Sequence, residues 1–160
     1  MTNSYGIEGK IAPHIKIDYW LDGDGKEMSN IDPFLDPNYK LIFCFQSWCP
    51  GCHSRGFPAL KEFMGKLEGN KKLSFYVLQT VFEGFEQNTK EQLALAQKKY
   101  QLRIPFGQDG GKESGRSQFI DKFNSGGTPW FILIGPDNRV MFNDFGFNVD
   151  TLAGYFQNLK

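Results

Sequence analysis

The sequence predicts an α/β fold, because segments typical of buried strands alternate along the chain with segments typical of helices. Lys40 to Phe45 is a short, almost wholly apolar run of the kind that buried strands show. From Phe57 to Leu67, apolar residues recur at spacings of three and four, which is the periodicity of an amphipathic helix. The chain has 160 residues, 40% of them hydrophobic, which is enough for one domain with a continuous core.

The N-terminal part predicts a flexible arm followed by a hairpin. Residues 1–10 show no strand or helix pattern, so we expect a flexible arm there and a single domain over residues 11–160. Ile15 to Tyr19 alternates apolar and polar residues, as a half-buried strand does. Asp22 to Gly25 is rich in Asp and Gly, and this composition predicts the turn of the hairpin.

The second half of the chain predicts further strands and helices. Leu73 to Phe82 is typical of a buried strand, and Thr89 with Gln92 three residues later predicts a capped helix start. We interpret Phe106 to Gly115 as a glycine-rich loop. The remaining predicted elements are a short helix over Gln118 to Phe123, strands over Trp130 to Ile134 and Arg139 to Phe145 joined by a turn, and a last helix capped by Asp150 that ends near Leu159.

The candidate reactive residues lie in Cys49–Pro50–Gly51–Cys52, which directly follows Trp48. Two cysteines at this spacing can close a small disulfide and exchange it with another protein. If Cys49 is the N-cap of the helix, Pro50 stands where its missing N–H costs nothing, and the Cys52 N–H points back at the Cys49 sulfur. The helix dipole then favours a thiolate. We therefore predict that Cys49 is the attacking thiol and that the more buried Cys52 is the resolving thiol.

These cysteines at a strand-to-helix junction, with Gly127–Thr128–Pro129 far downstream before a strand, resemble the thioredoxin superfamily. The resemblance implies a three-layer sandwich with a central mixed sheet flanked by helices and an N-terminal hairpin. The segment between Leu73 and Phe106 is similar to the strand–helix insertion of the TlpA/ResA branch of thiol-disulfide oxidoreductases. The resemblance further implies that Pro129 follows a cis bond and faces the disulfide together with Thr128.

The same resemblance implies a function and its partners. The chain would be an enzyme, a thiol-disulfide oxidoreductase that exchanges disulfides with protein dithiol or disulfide substrates and with an upstream redox partner. No cofactor and no metal is implied. We expect the protein to act as a monomer.

Three positions near the cysteines bear on the predicted reactivity of the thiols. Thioredoxins commonly place a buried Asp six residues before the first cysteine, where this chain has Phe43. TlpA and ResA relatives often carry a Glu three residues after the second cysteine, where this chain has Arg55. A cation there favours thiolate, so we expect Arg55 to lower the pKa of the active-site thiols. His53 lies four residues after Cys49 on the same helical face, where we expect it to assist the thiolate.

A thiol peroxidase and a haem protein are the alternative functions. Peroxiredoxins share the fold, but their motif requires Pro and Thr or Ser where Ile42 and Gln46 stand. Cys49 to His53 matches the C-x-x-C-H attachment pattern of c-type haem. A haem protein would also require export and a second axial ligand, such as Met64 or Met141.

The third cysteine, Cys44, has no partner if Cys49 bonds Cys52, and its apolar strand makes it a small core residue. Structural zinc on these three cysteines and His53 fits poorly, because a thiol in the middle of a buried strand cannot readily turn toward the helix.

Charge and composition bear on partners and location. Eighteen basic and eighteen acidic residues give no net charge, which argues against a nucleic-acid partner. No apolar run in the sequence is long enough to span a bilayer. The N-terminus lacks the pattern of a signal peptide, so we expect a cytoplasmic location for the chain as given. If a signal peptide has been removed, we expect a periplasmic or other extracytoplasmic location.

Overall fold

The computed structural model describes residues 5–159, and its centre is a seven-stranded mixed sheet with helices on both faces. The strands are β1 (Tyr19–Leu21), β2 (Glu27–Met28), β3 (Tyr39–Phe45), β4 (Leu73–Thr80), β5 (Phe106–Asp109), β6 (Trp130–Ile134) and β7 (Val140–Asp144). The helices are α1 (Phe57–Lys66), α2 (Lys90–Tyr100), α3 (Gln118–Lys122) and α4 (Val149–Gln157). The strand order is β2-β1-β5-β4-β3-β6-β7. The predicted α/β class with a mixed sheet is confirmed.

Strand β3 lies inside the sheet, parallel to β4 and antiparallel to β6, and it separates two hydrophobic cores. Alternate side chains of β3 enter the first core, which is closed by α1, α2 and α4; these are Leu41, Phe43 and Phe45. The side chains between them, Ile42 and Cys44, enter the second core with α3 and the extended N-terminal segment. A strand that is buried on both faces has no polar face, which explains why its residues from Leu41 to Phe45 are all apolar.

The strand and helix that the resemblance implies between Leu73 and Phe106 are β4 and α2. Thr89 caps α2, since its side chain accepts the Gln92 N–H at 3.2 Å. Strand β5 runs parallel to β4 and antiparallel to β1, so the interpretation of Phe106 to Gly115 as a loop is wrong for its first four residues. Gly107 weakened the strand pattern there. A glycine is required at position 107 because a Cβ there would lie 2.7 Å from Leu78 and 2.9 Å from Trp20.

The predicted strand over Ile15 to Tyr19 is only partly right. Ile15 and Ile17 are buried and Lys16 is exposed, so the alternation reports burial correctly. Residues 12–18 nevertheless form no strand, and β1 begins only at Tyr19, where it pairs with Gln108 of β5. The alternation indicates which side chains face the core. A β-strand additionally requires a neighbouring strand to which its backbone is hydrogen-bonded. The hairpin is confirmed, since β1 pairs antiparallel with β2 across the turn.

The predicted flexible arm is partly outside the described residues, because these begin at residue 5. In the described part, Gly6 donates its N–H to the Asn124 carbonyl at 2.8 Å, and Gly9 donates to the Val140 carbonyl at 2.8 Å. This segment is therefore hydrogen-bonded to the rest of the protein. The boundary of the single domain at residue 11 stays a prediction.

The cap of the last helix differs from the predicted one. Asn148, not Asp150, is the N-cap of α4, and its side-chain oxygen accepts the Thr151 N–H at 2.9 Å. Asp150 lies in the first turn, 3.1 Å from the ammonium group of Lys66. Asn and Asp are equally good caps, so the sequence alone did not separate two candidates two residues apart.

The helix after the cysteines begins at Pro50 and contains a π turn, Cys52–Gly56, before it continues as α1. Within this turn the Phe57 N–H donates to the Cys52 carbonyl, one residue further than in an α-helix. Gly56 closes the turn against the sheet, where a Cβ would lie 2.6 Å from the Phe43 ring and 3.2 Å from Pro129. The π turn was not predicted.

Among residues 5–159, no helix has the length and apolar character needed to cross a membrane.

We predict that Gly56→Ala destabilises the protein by about 1–3 kcal/mol, because the added methyl group overpacks the contact with Phe43. The matched control is Gly65→Ala in α1, where a Cβ meets no atom within 4 Å. That change should stabilise the protein by about 0.5–1 kcal/mol through helix propensity. Urea unfolding of both variants measures the difference. Equal stability of the two variants would contradict the tight contact.

Candidate active site

The two cysteines lie where the carboxyl end of β3 passes into a helix. Cys49 directly precedes the first helical residue, Pro50, as predicted. The Cys52 N–H donates to the Cys49 sulfur at 3.2 Å, which confirms the expected capping contact. Cys52 is fully buried, whereas Cys49 keeps 5% of its surface exposed. Both are present as thiols.

The surroundings of the two sulfurs act on their pKa values in opposite directions. The pKa of Cys49 is lowered to about 6, chiefly because its sulfur accepts a hydrogen bond from the Cys52 thiol. Hydrogen bonds from Thr128 and from the backbone of Cys52 and Gly51 lower the pKa further, while burial opposes them. The pKa of Cys52 is raised far above its ordinary value, first by burial and then by its hydrogen bond to Cys49. The more exposed sulfur is therefore the one that ionises at neutral pH.

Thr128 and Pro129 face the cysteines from the loop before β6. Their peptide bond is cis, as the resemblance implies. The Thr128 carbonyl oxygen lies 3.6 Å from the Cys49 sulfur and accepts its S–H when the thiol is protonated. A Cβ built on Gly51 would lie 3.5 Å from the Pro129 ring, which places this proline beside the start of the helix. The structure thus brings the two separated motifs together.

A β-turn leads from β3 into the cysteine pair. The Cys49 N–H donates to the Gln46 carbonyl at 3.0 Å, so Ser47 and Trp48 occupy the centre of the turn. The Ser47 N–H donates to Asn88 Oδ1 at 2.6 Å and to Gln79 Oε1 at 3.2 Å. The turn is thereby attached to β4 and to the loop before α2.

The side chain of Gln46 connects this turn to the neighbouring loops. It is fully buried, and its oxygen accepts the N–H groups of Phe82 at 3.1 Å and Glu83 at 3.4 Å. Its nitrogen lies 3.5 Å from Thr128 Oγ1. One glutamine therefore links three segments: the turn before Cys49, the loop after β4 and the loop that carries Thr128.

His53 does not face the Cys49 thiolate. Its Nε2 lies 2.8 Å from the Ser47 carbonyl oxygen, and its Nδ1 lies 2.5 Å from the Tyr100 hydroxyl. The expectation that it assists the thiolate directly assumed a regular helix. Because the π turn begins at Cys52, residue spacing no longer predicts the face, and both ring nitrogens are engaged elsewhere.

The flanks of the site are formed by Trp48 and Arg55. Trp48 is 42% exposed and lies against Gly84, where a Cβ would be 2.8 Å from its ring. Arg55 is exposed, and its guanidinium would lie 3.0 Å from a Cβ on Gly51. The group is close to the start of the helix, but the hydrogen bonds that lower the pKa of Cys49 come from other residues. The effect of Arg55 on the thiols stays a prediction.

Cys44 lies in the second core, on the opposite face of the sheet from Cys49 and Cys52. It is buried, and burial raises its pKa well above the ordinary value. It therefore cannot join the pair as a metal ligand. Within residues 5–159, no three His, Cys, Asp or Glu side chains are grouped so that they could hold a metal ion.

Sequence reasoning missed a polar cluster of Gln46, Gln79, Asn88 and Gln108. Gln79 donates to Gln108 Oε1 at 2.7 Å and to the Thr89 carbonyl at 3.0 Å, and its own oxygen accepts from Ser47. Part of the signal was present, because Gln46 directly follows the apolar strand β3 and Gln79 is the next-to-last residue of β4. Gln108 lies in the segment that the sequence analysis interpreted as a loop. Sites in α/β proteins form at the carboxyl ends of parallel strands, so buried glutamines there are candidates.

No protein-family model matches the sequence, and no curated protein matches it. Solved structures match over most of the chain. A thioredoxin-like superfamily protein superposes with a TM-score of 0.74 at 25% identity, covering 91% of this chain and 92% of that one. A thiol-disulfide isomerase from Corynebacterium glutamicum gives a TM-score of 0.71 at 24% identity, covering 93% and 98%. StoA from Bacillus subtilis gives 0.61 at 13% identity, covering 89% and 98%.

The likeness to the first of these proteins extends over nearly the whole of both chains, and it agrees with the two motifs that the fold brings together. It confirms the resemblance drawn from the sequence. The chain belongs to the thioredoxin-like superfamily.

Proposed function

We propose that this protein is a thiol-disulfide oxidoreductase that exchanges disulfides with protein substrates through Cys49 and Cys52. The proposal depends on one observation: the site changes the pKa values of the two thiols in opposite directions. The pKa of Cys49 is lowered to about 6, and the pKa of Cys52 is raised. Only a thiolate attacks a disulfide, so the first step belongs to Cys49. The names of the similar structures, among them a thiol-disulfide isomerase, support the same class of reaction.

The reaction proceeds in two displacements. The Cys49 thiolate attacks one sulfur of the substrate disulfide, a mixed disulfide forms, and the other substrate sulfur leaves as a thiolate. Cys52 then loses its proton to solvent or to the departing thiolate and attacks the Cys49 sulfur. The Cys49–Cys52 disulfide forms, and the second substrate sulfur leaves. The substrate gains two electrons, and an upstream dithiol partner returns the pair to its reduced form.

Neighbouring residues support these steps. Pro50 begins the helix without a competing N–H, so the free amides that follow it can point at the Cys49 sulfur. The Thr128 side chain lowers the pKa of Cys49 by a hydrogen bond, and we propose that the Thr128 backbone pairs with an extended substrate segment. Pro129 and the exposed Trp48 flank the sulfur and would contact the substrate.

The alternative functions have less support. A c-type haem would use His53 as an axial ligand, yet both of its nitrogens are hydrogen-bonded, to Ser47 and Tyr100. A peroxiredoxin requires a hydroxyl residue at position 46, where Gln46 instead binds two backbone amides of the loop after β4.

We predict that the purified protein reduces the disulfides of insulin and that Cys49→Ser lowers this activity to the level of the buffer control. Cys52→Ser should keep the attacking thiolate but accumulate mixed disulfides, because no resolving thiol remains. Turbidity of the released insulin chains and non-reducing gels measure the two effects. Cys44→Ser is the control, since its thiol lies in the other core. Equal activity of wild type and Cys49→Ser would contradict the assignment.

We also predict the pH dependence of the thiolate. Alkylation of Cys49 by iodoacetamide should reach its plateau above pH 6 and fall about tenfold for each pH unit below the pKa, because protonation removes the nucleophile. Cys52 should stay unreactive at neutral pH, since its pKa is raised. Mass spectrometry of the alkylated peptides separates the cysteines. A midpoint near that of a free cysteine would contradict the lowered pKa of Cys49.

Arg55→Glu should raise the pKa of Cys49 and make the pair more reducing, because a carboxylate near the helix start opposes the thiolate. The effect on the thiolate fraction should stay below about tenfold, since Arg55 is exposed and its field is screened by water. Lys61→Glu is the matched control, the same charge change at an exposed residue within α1. Identical titrations for both variants would show that Arg55 does not act on the site.

A further inference from the structure

We infer that His53 and Tyr100 are positioning residues that hold the turn before Cys49 and thereby set the reactivity of its thiol. The inference rests on the proposed function of the cysteine pair. It assigns a role to a histidine whose ring nitrogens contact Ser47 and Tyr100, and to that tyrosine of α2.

The turn from Gln46 to Cys49 is held on both sides of its first central residue, Ser47. Its N–H is fixed by Asn88 and Gln79, and its carbonyl oxygen lies 2.8 Å from His53 Nε2. That carbonyl belongs to the central peptide of the β-turn. The two common turn types differ mainly by a rotation of this peptide, so a partner for its oxygen selects one orientation.

The hydrogen-bond partners also fix the tautomer of His53. A carbonyl oxygen can only accept, so the neutral ring carries its proton on Nε2 and donates to Ser47. Nδ1 is then an acceptor, and the Tyr100 hydroxyl at 2.5 Å is the donor that it needs. Tyr100 thus favours the tautomer that binds the turn.

The rings of these residues are packed as well as hydrogen-bonded. Tyr100 is the last residue of α2, and its ring is stacked on Phe57 with centroids 4.0 Å apart. His53 is stacked near both, with centroids 5.8 Å from Tyr100 and 5.9 Å from Phe57. The inserted helix therefore fixes the imidazole, and the imidazole fixes the turn.

The reactivity of Cys49 depends on this geometry, because its sulfur must stay 3.2 Å from the Cys52 N–H and within hydrogen-bond reach of the Cys52 thiol. If the central peptide of the turn can rotate, Cys49 occupies more than one position and these hydrogen bonds weaken. Weaker hydrogen bonds to the thiolate raise its pKa and lower its population at neutral pH.

Three variants test the inference. His53→Leu removes the donor to Ser47 while it keeps an apolar side chain of similar size. His53→Gln restores a donor near the position of Nε2. At a pH below the wild-type pKa, we expect Cys49 alkylation to slow about threefold or more in His53→Leu and to recover most of that loss in His53→Gln. Tyr100→Phe keeps the ring stack and loses only the hydroxyl, so it should shift the pKa in the same direction by a smaller amount.

The control is Tyr155→Phe, which removes the hydroxyl of a half-exposed tyrosine on α4, near Tyr39. It should leave Cys49 alkylation unchanged. Thermal unfolding of every variant shows whether the fold is retained. If folded His53→Leu has the wild-type Cys49 pKa and alkylation rate, or if His53→Gln is no better than His53→Leu, the positioning role is overturned.

These readouts are separate from the test of the proposed function. Alkylation of Cys49 requires no disulfide substrate. A wild-type protein that fails to reduce insulin but shows the predicted order of alkylation rates would contradict the proposed function and support the positioning role. A protein that reduces insulin while all three variants alkylate like wild type would support the proposed function and contradict the positioning role.

Discussion

Both faces of β3 are covered, and the arrangement of the candidate site follows from this constraint. The strand has β4 and β6 on either side and a hydrophobic core above and below. Polar groups that need water or a substrate can therefore gather only where the strand ends. Its carboxyl end opens into the turn from Gln46 to Cys49, and the Cys49 sulfur is placed there, at the centre of the sheet edge.

The two cysteines differ because they lie on different sides of the helix start. Cys49 precedes the first helical residue and collects hydrogen bonds from Cys52, Thr128 and the backbone, all of which favour its charge. Cys52 lies one turn deeper, fully buried, and loses the hydration that a thiolate needs. Phe43 lies in the first core with them, and its ring is packed against Phe57 and Phe131. The asymmetry thus comes from hydrogen bonding and burial, without a buried carboxylate beside the pair.

The unit β4-α2-β5 contributes side chains to the candidate site as well as strands to the sheet. Its strand ends supply Gln79 and Gln108, its connecting loop supplies Asn88, and its helix ends in Tyr100. These side chains form a hydrogen-bonded layer behind the turn before Cys49. A buried polar layer of this kind is stable only when its groups are paired, and pairing fixes the geometry of whatever it contacts. This unit is therefore part of the framework of the site.

The sequence by itself determined the α/β class, most strands and helices, and the cysteine pair, since apolar periodicity and short motifs are local properties. The proline partner of the pair followed from the resemblance to the thioredoxin superfamily. Prediction from the sequence failed where long-range contacts decide the local structure. The close approach of Trp20 and Leu78 made Gly107 part of a strand, and the lack of a hydrogen-bonded neighbour kept Ile15 to Asp18 out of one. The π turn redirected His53 from Cys49 to Ser47 and Tyr100. Only the tertiary structure could decide these points, because each depends on atoms from segments that are far apart in the chain.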